Sequence, residues 1–526
     1  MSRRLLVIGL DGFEPSLAKP LLQAGRLPAL RHLIEQSACV HLDHGSAKRT
    51  GLAWEHFATG QSPETAKRWS AVDLDPKRYR CKQMPTRLLP FAHDLNVETV
   101  VLDPPYFDLS RSTRVRGLVS WGAHDPGTTQ FARPSNLLEE IRDRFGDYAA
   151  SQWIYGFTWP SVSRTQAMGD ALVAATEQRA RIAKWLLTER LPDWQLGMVV
   201  VSELHSAVES LWHGVDARHP LNAHPSAPIA RAGLEATYEA VDRLIAQLVT
   251  SCGDAAVLAF AMHGMGPNES DVASMALLPE FMYRRQFGEN LLQVPPTDGP
   301  TCPKMDEEDN WSNYVKRHFD RTRVDTPIDR SRARAKRLLG TFGLRSNVNT
   351  IDWMPASWYA KRWRAMEAFA LPSFYDGQIR INLAGRESKG RVPLVKYQDL
   401  CNTIEAELRE CVDANSGQPV VREIIRPSVR DPRTLGPTQA DMIVVWEGHP
   451  LGFVHPSLGT IGPLPYRRPG GHTGDHGIAY FRAPEVSPGF YGTRSAFDVA
   501  PTIVSYVAPA RDLSLSGKDF LNTLHN

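Results

Sequence analysis

Asp11 closes an apolar run, Leu5-Leu6-Val7-Ile8-Gly9-Leu10, and so puts a carboxylate at the carboxyl end of a buried strand. Open α/β sheets build their sites there. Other candidate ligands also follow apolar strands: His205 and Glu209 come after Met198-Val199-Val200-Val201, and His263 after Val257-Leu258-Ala259-Phe260-Ala261. Carboxylates and imidazoles delivered by separate strand ends can converge on a metal ion. The plain alternative, that each polar residue merely ends its strand, suits any one of them alone; several at equivalent positions point to a shared site. Thr50 adds a hydroxyl ahead of a helical stretch whose N-terminal amides favour an anion. A hydroxyl near its ordinary pKa is a poor nucleophile, and a divalent metal can supply the missing activation. Taken alone, the same threonine reads as a helix N-cap.

The elements that must position these groups alternate. Strands are expected at 5–10, 99–102, 198–201 and 257–261, with helices at 27–36, 168–187 and 228–250, the pattern of a sheet covered by helices on both faces. The expected fold class is α/β, a doubly wound mixed or parallel sheet with an inserted cap. Residues 1–290 are read as the first part of the core and 291–373, rich in proline, tryptophan and charge, as the insertion. Residues 374–526 are read as the second part of the core, completing the metal site, with strands at 377–383, 442–446 and 478–481 and a helix at 396–412. The insertion is expected to cover the site and set substrate choice.

Composition limits the partners. With 526 residues, 42% hydrophobic and 22% charged, the chain is globular rather than disordered. A net charge of +2 gives no broad basic surface for nucleic acid, and the local run Arg330 to Arg337 reads as a solvated helix face. The cysteines Cys39, Cys81, Cys252, Cys302, Cys401 and Cys411 show no CxxC pair or framework, which fits a reducing compartment. Arg3-Arg4 and the short apolar run after it read as the start of a strand rather than an export signal, and no apolar stretch nears the roughly 20 residues of a membrane span. A soluble cytoplasmic protein is expected, acting on a small molecule, without nucleic acid or membrane; the oligomeric state is open.

Together these motifs resemble the alkaline phosphatase superfamily, in its type I phosphodiesterase and nucleotide pyrophosphatase branch. The resemblance rests on Asp11 after the first strand and on Thr50 placed nine residues before Thr59-Gly60. Phe497-Asp498-Val499-Ala500-Pro501-Thr502 is similar to the family's Val-Asp-Ile-Ala-Pro-Thr, and Gly385-Arg386-Glu387 to a motif of the branch. The departures fall on the ligands. The family's Asp-x-x-x-His is here His205-Ser206-Ala207-Val208-Glu209, its donors exchanged but its spacing of four kept, which on a helix leaves both on one face. Met262-His263-Gly264-Met265-Gly266 stands where the family has Asp-His-Gly-Met-Gly, so a thioether replaces a carboxylate. The family's late histidine matches His476 best, with His472 as second candidate.

The resemblance implies a metal-dependent hydrolase or transferase acting on a phosphate ester or diester through Thr50, by way of a covalent phospho-threonine. One metal would be held by His205, Glu209 and His476, tightly; the other by Asp11, Thr50 and His263, weakly or not at all. Imidazole donors favour zinc or manganese over magnesium. Lys48, Arg49 and Asn268 are expected to bind substrate, and Asn268, Glu203, His213 and Asp475 also read as support for the ligands. The histidines from His213 to His224 read as loop residues rather than extra metal sites. The altered ligands leave two alternatives open: a member that binds a phosphorylated metabolite without hydrolysis, and one that transfers a group to a sugar or small metabolite. Sulfatase, Gly-x-Ser-x-Gly and Walker signatures are absent from the sequence.

Overall fold

The first strand is apolar throughout because it has neighbours on both sides and helices on both faces. β1 (Leu5–Leu10) is wholly buried. Seven further apolar or alternating runs and one short edge segment join it: β2 (Ala38–Asp43), β3 (Thr99–Leu102), β4 (Val115–Val119), β5 (Phe131–Arg133), β6 (Leu196–Val201), β7 (Ala256–Ala261), β8 (Gly477–Arg482) and β9 (Gly489–Ser495). The sheet order is β9-β2-β8-β7-β1-β6-β3-β4-β5. β1 runs parallel to β6 and β7, while β8 is antiparallel to both β7 and β2. The sheet is therefore mixed, as the sequence led one to expect. Parallel neighbours place Asp11 and the residues following β6 and β7 at one edge.

The protein is described here by a computed structural model covering residues 3–123, 128–154, 159–295, 302–307, 309–323 and 351–523. It divides into two compact units. The first comprises Met1–Arg68, Pro85–Asn268 and Arg468–Asn526 and contains the nine-stranded sheet. Its helices α1 (Val162–Trp185), α2 (Glu203–Leu211) and α3 (Ala227–Ser251) cover one face, where Leu6, Ile8 and Leu10 pack with Leu172, Leu204 and Leu234. On the other face Trp54 and Phe57 of the helix Ala53–Thr59 meet Phe260 with ring centroids 5.6 and 4.7 Å apart. α1 begins earlier than its apolar spacing suggested, because the Ser161 side chain caps it by accepting from Arg164 N.

The second unit comprises Trp69–Met84 and Glu269–Arg467. The partition thus differs from boundaries at 290 and 373. The segment 374–467, read from sequence as a return to the first core, instead builds a sheet of its own. Strands Ala368–Leu371, Gly377–Ile381, Met442–Trp446 and Val421–Ile425 pair antiparallel in that order. The basic run 330–337, and with it part of the expected cap, lies outside the described residues. No described helix is long and apolar enough to cross a membrane.

Candidate metal centre

Asp11 N donates to Val201 O at 3.0 Å, so the carboxylate is held where β1 meets β6. The next residue must be glycine: Gly12 has φ +78°, and a Cβ there would lie 2.3 Å from the His205 Cα. This close approach brings Asp11 to α2, which follows β6 after Ser202. His205 Nδ1 lies 2.9 Å from Asp11 Oδ2 and its Nε2 lies 3.2 Å from Glu209 Oε1, one helical turn on. The two-residue ladder pairing Gly266-Pro267 with Gly470-Gly471 then delivers His472, whose Nε2 is 3.1 Å from His205 Nε2 and 3.7 Å from Glu209 Oε1.

These donors fit a divalent ion. A tetrahedral zinc bonded at about 2.0–2.1 Å sets its ligand atoms roughly 3.3–3.4 Å apart. The triangle of His205 Nε2, Glu209 Oε1 and His472 Nε2 has edges of 3.1, 3.2 and 3.7 Å. Among the described residues it is the one group of His, Cys, Asp or Glu donors with such mutual reach. Asp11 on the far ring nitrogen of His205 orients that imidazole, as carboxylates behind metal-bound histidines do. Arg468 also reaches the cluster, with Nη1 on Glu209 Oε1. Burial lowers its pKa to about 9, so it remains a cation at neutral pH.

The structure brings His472, the second candidate, and not His476 beside His205 and Glu209. His476 is exposed, with its ring 5.8 Å from that of His41. It immediately precedes β8, whereas His472 directly follows the Gly470-Gly471 ladder. The expected second set is distributed differently from the sequence mapping. Asp11 is bonded to His205, and His263 stands 4.8 Å from the His472 ring, centroid to centroid. His263 Nδ1 donates to Gly264 O at 2.9 Å, which leaves the Nε2 lone pair available in the neutral ring. Burial holds its pKa down at about 4. The Thr50 hydroxyl donates to Ala47 O at 2.8 Å and accepts from Leu52 N at 3.2 Å, so it is engaged in its own turn. Met262 is buried after β7 and supplies no oxygen.

The supporting residues have specific tasks. Lys48 Nζ donates to Gly474 O at 2.7 Å, while Arg49 is half-buried next to it in sequence. Asn268 pins the strand that carries Arg468 and His472: its N donates to Pro469 O and its Nδ2 to Gly470 O. Glu203 is fully buried under Arg179, and Asp475 is exposed. His213 and His224 both contact Ser226 Oγ, at 3.1 and 2.8 Å, and are not in the metal group. Sequence reasoning missed Arg468 and Glu14. Glu14 Oε2 accepts from Met265 N at 2.7 Å and so anchors the His263 loop; its place three residues after Asp11 was the available signal.

Two buried histidines set an acid limit on stability. Burial, with Arg68 nearby, pushes His56 down to about 3, and burial, with His224 nearby, pushes His213 down to about 4. Both folded values lie below the unfolded value of about 6.5, so between them the unfolded chain binds more protons. Their contribution is fully present above about pH 6.5 and is lost as pH falls toward 4, at about 1.4 kcal/mol per pH unit for each group. The urea midpoint is expected to drop across that window, and His56→Gln to flatten the drop; an unchanged profile would count against the assignment.

The profile of the family described as type I phosphodiesterase / nucleotide pyrophosphatase matches residues 5–321. Among solved structures, wild-type alkaline phosphatase PafA is 12% identical with a TM-score of 0.50, over 100% of this chain and 99% of that one. That similarity concerns the fold alone. Phosphonoacetate hydrolase from Sinorhizobium meliloti 1021 is 14% identical, TM-score 0.47, covering 96% of both chains. Human ectonucleotide pyrophosphatase / phosphodiesterase 5 is 10% identical, TM-score 0.47, covering 99% of both. No curated protein matches the chain.

Proposed function

We propose, from the premise that this chain belongs to the type I phosphodiesterase / nucleotide pyrophosphatase family, that it is a metal-dependent hydrolase of a small phosphate ester or diester. The observation that carries this reading is the His205–Glu209–His472 triangle with Asp11 behind it. His205, Glu209 and His472 would hold one divalent ion, zinc or manganese, and His263 together with Asp11 would offer a weaker second position. A bound ion supplies Lewis acidity, neutralising phosphate charge and lowering the pKa of a nearby hydroxyl.

The chain's own residues do the rest. Thr50 Oγ1 leaves its bond to Ala47 O, gives up its proton to solvent water and attacks phosphorus in line; the new O–P bond forms as the bond to the leaving oxygen breaks. Water then cleaves the phospho-threonine. Arg468 and Lys48 are the cations that would hold the phosphate oxygens, and Arg468 must then share itself between Glu209 and substrate. Glu14 and Asn268 keep the His263 and His472 loops in register. Six free cysteines support a cytoplasmic assignment.

Metal analysis with turnover of an activated phosphodiester tests the reading. Wild type is expected to hold one tight ion. His472→Ala should lose it, His476→Ala should keep it, and Thr50→Ala should keep the ion but lose turnover by about 10³-fold or more. Equal metal content in all three histidine forms would sink the ligand assignment, and an active Thr50→Ala the nucleophile.

Arg468 favours a second reading. With a guanidinium already on Glu209 and methionine rather than a carboxylate at 262, the site carries one fixed cation and is one carboxylate short at the second position, which suits group transfer to a small alcohol or binding without hydrolysis. Met262→Asp is the discriminating variant: a gain in phosphodiester turnover favours a weakened hydrolase, and no gain favours the repurposed site.

A further inference from the structure

The Gly385-Arg386-Glu387 motif has no part in the metal centre chemistry. In the second unit it forms a loop beside an open cavity of about 810 Å³ lined by Arg364, Glu387, Ser388, Lys389 and Arg391. Small-molecule sites usually span about 300–1,000 Å³. Glu387 is the one carboxylate of that lining, and it is buried and already compensated: Arg380 Nε donates to its Oε1 at 2.8 Å and Arg386 Nε at 2.9 Å. The exposed cations Arg364, Lys389 and Arg391 form no ion pair among the described residues. The cavity therefore presents net positive charge.

The loop is also held in shape. Arg386 clasps Asp441 through two bonds, 2.8 and 2.7 Å, and donates to Pro432 O at 2.8 Å. Tyr79 ties two of the cations to the same frame. Its hydroxyl donates to Asn382 Oδ1 at 2.7 Å and accepts from Lys389 N at 3.1 Å, and its ring centroid is 5.7 Å from the Arg364 guanidinium carbon. Gly390 closes the loop, because a Cβ there would lie 2.2 Å from Leu383 O. Buried ion networks cost desolvation and are weak evidence for stability. What this network does is fix a backbone that presents three uncompensated cations around one cavity.

We propose that this cavity binds a small organic phosphate carrying more than one negative charge, independently of the metal centre. Three cations on a preformed frame suit separated phosphate groups, since little ordering is lost on binding. Hydrogen bonds to charged groups are individually strong enough that losing them weakens binding by about tenfold or more.

The test is calorimetric titration of glucose 1,6-bisphosphate into the full chain at low ionic strength. Wild type should bind saturably, and added salt should weaken the binding. Arg364→Ala/Lys389→Ala/Arg391→Ala should weaken it by about tenfold or more, and His205→Ala should leave it intact. If the triple variant does not fold, the single exposed change Lys389→Glu carries the same expectation. Any of three results overturns the proposal: no saturable binding to wild type, unchanged binding by a folded cavity variant, or binding abolished by His205→Ala, which would assign the ligand to the metal centre.

Discussion

Replacing His205 with alanine is expected to lower turnover of an activated phosphodiester by about 10³-fold or more, close to 4 kcal/mol of transition-state stabilisation. The reason is geometric. One imidazole touches Asp11 through Nδ1 and both Glu209 and His472 through Nε2, at 2.9, 3.2 and 3.1 Å. Removing it takes away one of the three proposed ligands, releases the carboxylate that oriented it and leaves Glu209 with Arg468 as its remaining strong partner in the cluster. Metal content should fall with the activity. His476→Ala, which removes a histidine exposed outside the cluster, should stay within about threefold of wild type in both measurements. A His205→Ala protein that retains metal and turns over at a tenth of the wild-type rate would remove this cluster from the chemistry.

Arg179→Met is expected to destabilise the protein by about 3–5 kcal/mol. Arg179, Glu203 and Asp103 are all fully buried; the guanidinium meets both Glu203 oxygens at 3.0 Å and Asp103 Oδ2 at 3.0 Å. Burial works against the charge on Arg179, but Glu203 and Asp103 reverse that and raise its pKa overall. Methionine keeps most of the volume and leaves two carboxylates in the interior. Asp103 keeps the Trp121 and Gly122 amides, and Glu203 keeps the Tyr148 hydroxyl, which cannot replace a full charge. Since Glu203 opens the helix that carries His205 and Glu209, metal affinity should weaken alongside stability. Urea unfolding followed by tryptophan fluorescence measures the first effect. Adding Glu203→Gln should recover part of the loss, because one uncompensated charge is then gone. A shift below about 1 kcal/mol would show that water reaches the network.

What the sequence determined by itself was local. The all-apolar run 5–10 fixed a central strand, and Asp11 at its end fixed the edge where a site would form, because a strand buried on both faces tolerates no polar residue until it leaves the core. The strands 196–201 and 256–261 were legible for the same reason. The pairing of His205 with Glu209 followed from their spacing of four, since helix geometry alone puts such residues on one face. Even the exchange of donor types left that relation intact.

Tertiary structure decided the rest. His472 rather than His476 enters the cluster because a two-residue ladder joins Gly266-Pro267 to Gly470-Gly471, some 200 residues away in sequence. Spacing to a following glycine could not show this, since no local period encodes which distant backbones pair. Arg468 reaches Glu209 by the same strand, and Asn268, expected both to bind substrate and to support the ligands, pins that strand. The second unit has a similar origin. Residues 374–467 have ordinary strand and helix periodicity, which fits either core equally well; hydrogen bonding of Gly377–Ile381 to Ala368–Leu371 assigns them to a sheet of their own. Local patterns specify which elements exist and which face each one buries. The pairing of separate backbones sets which side chains meet, and with that the composition of the His205–Glu209–His472 cluster.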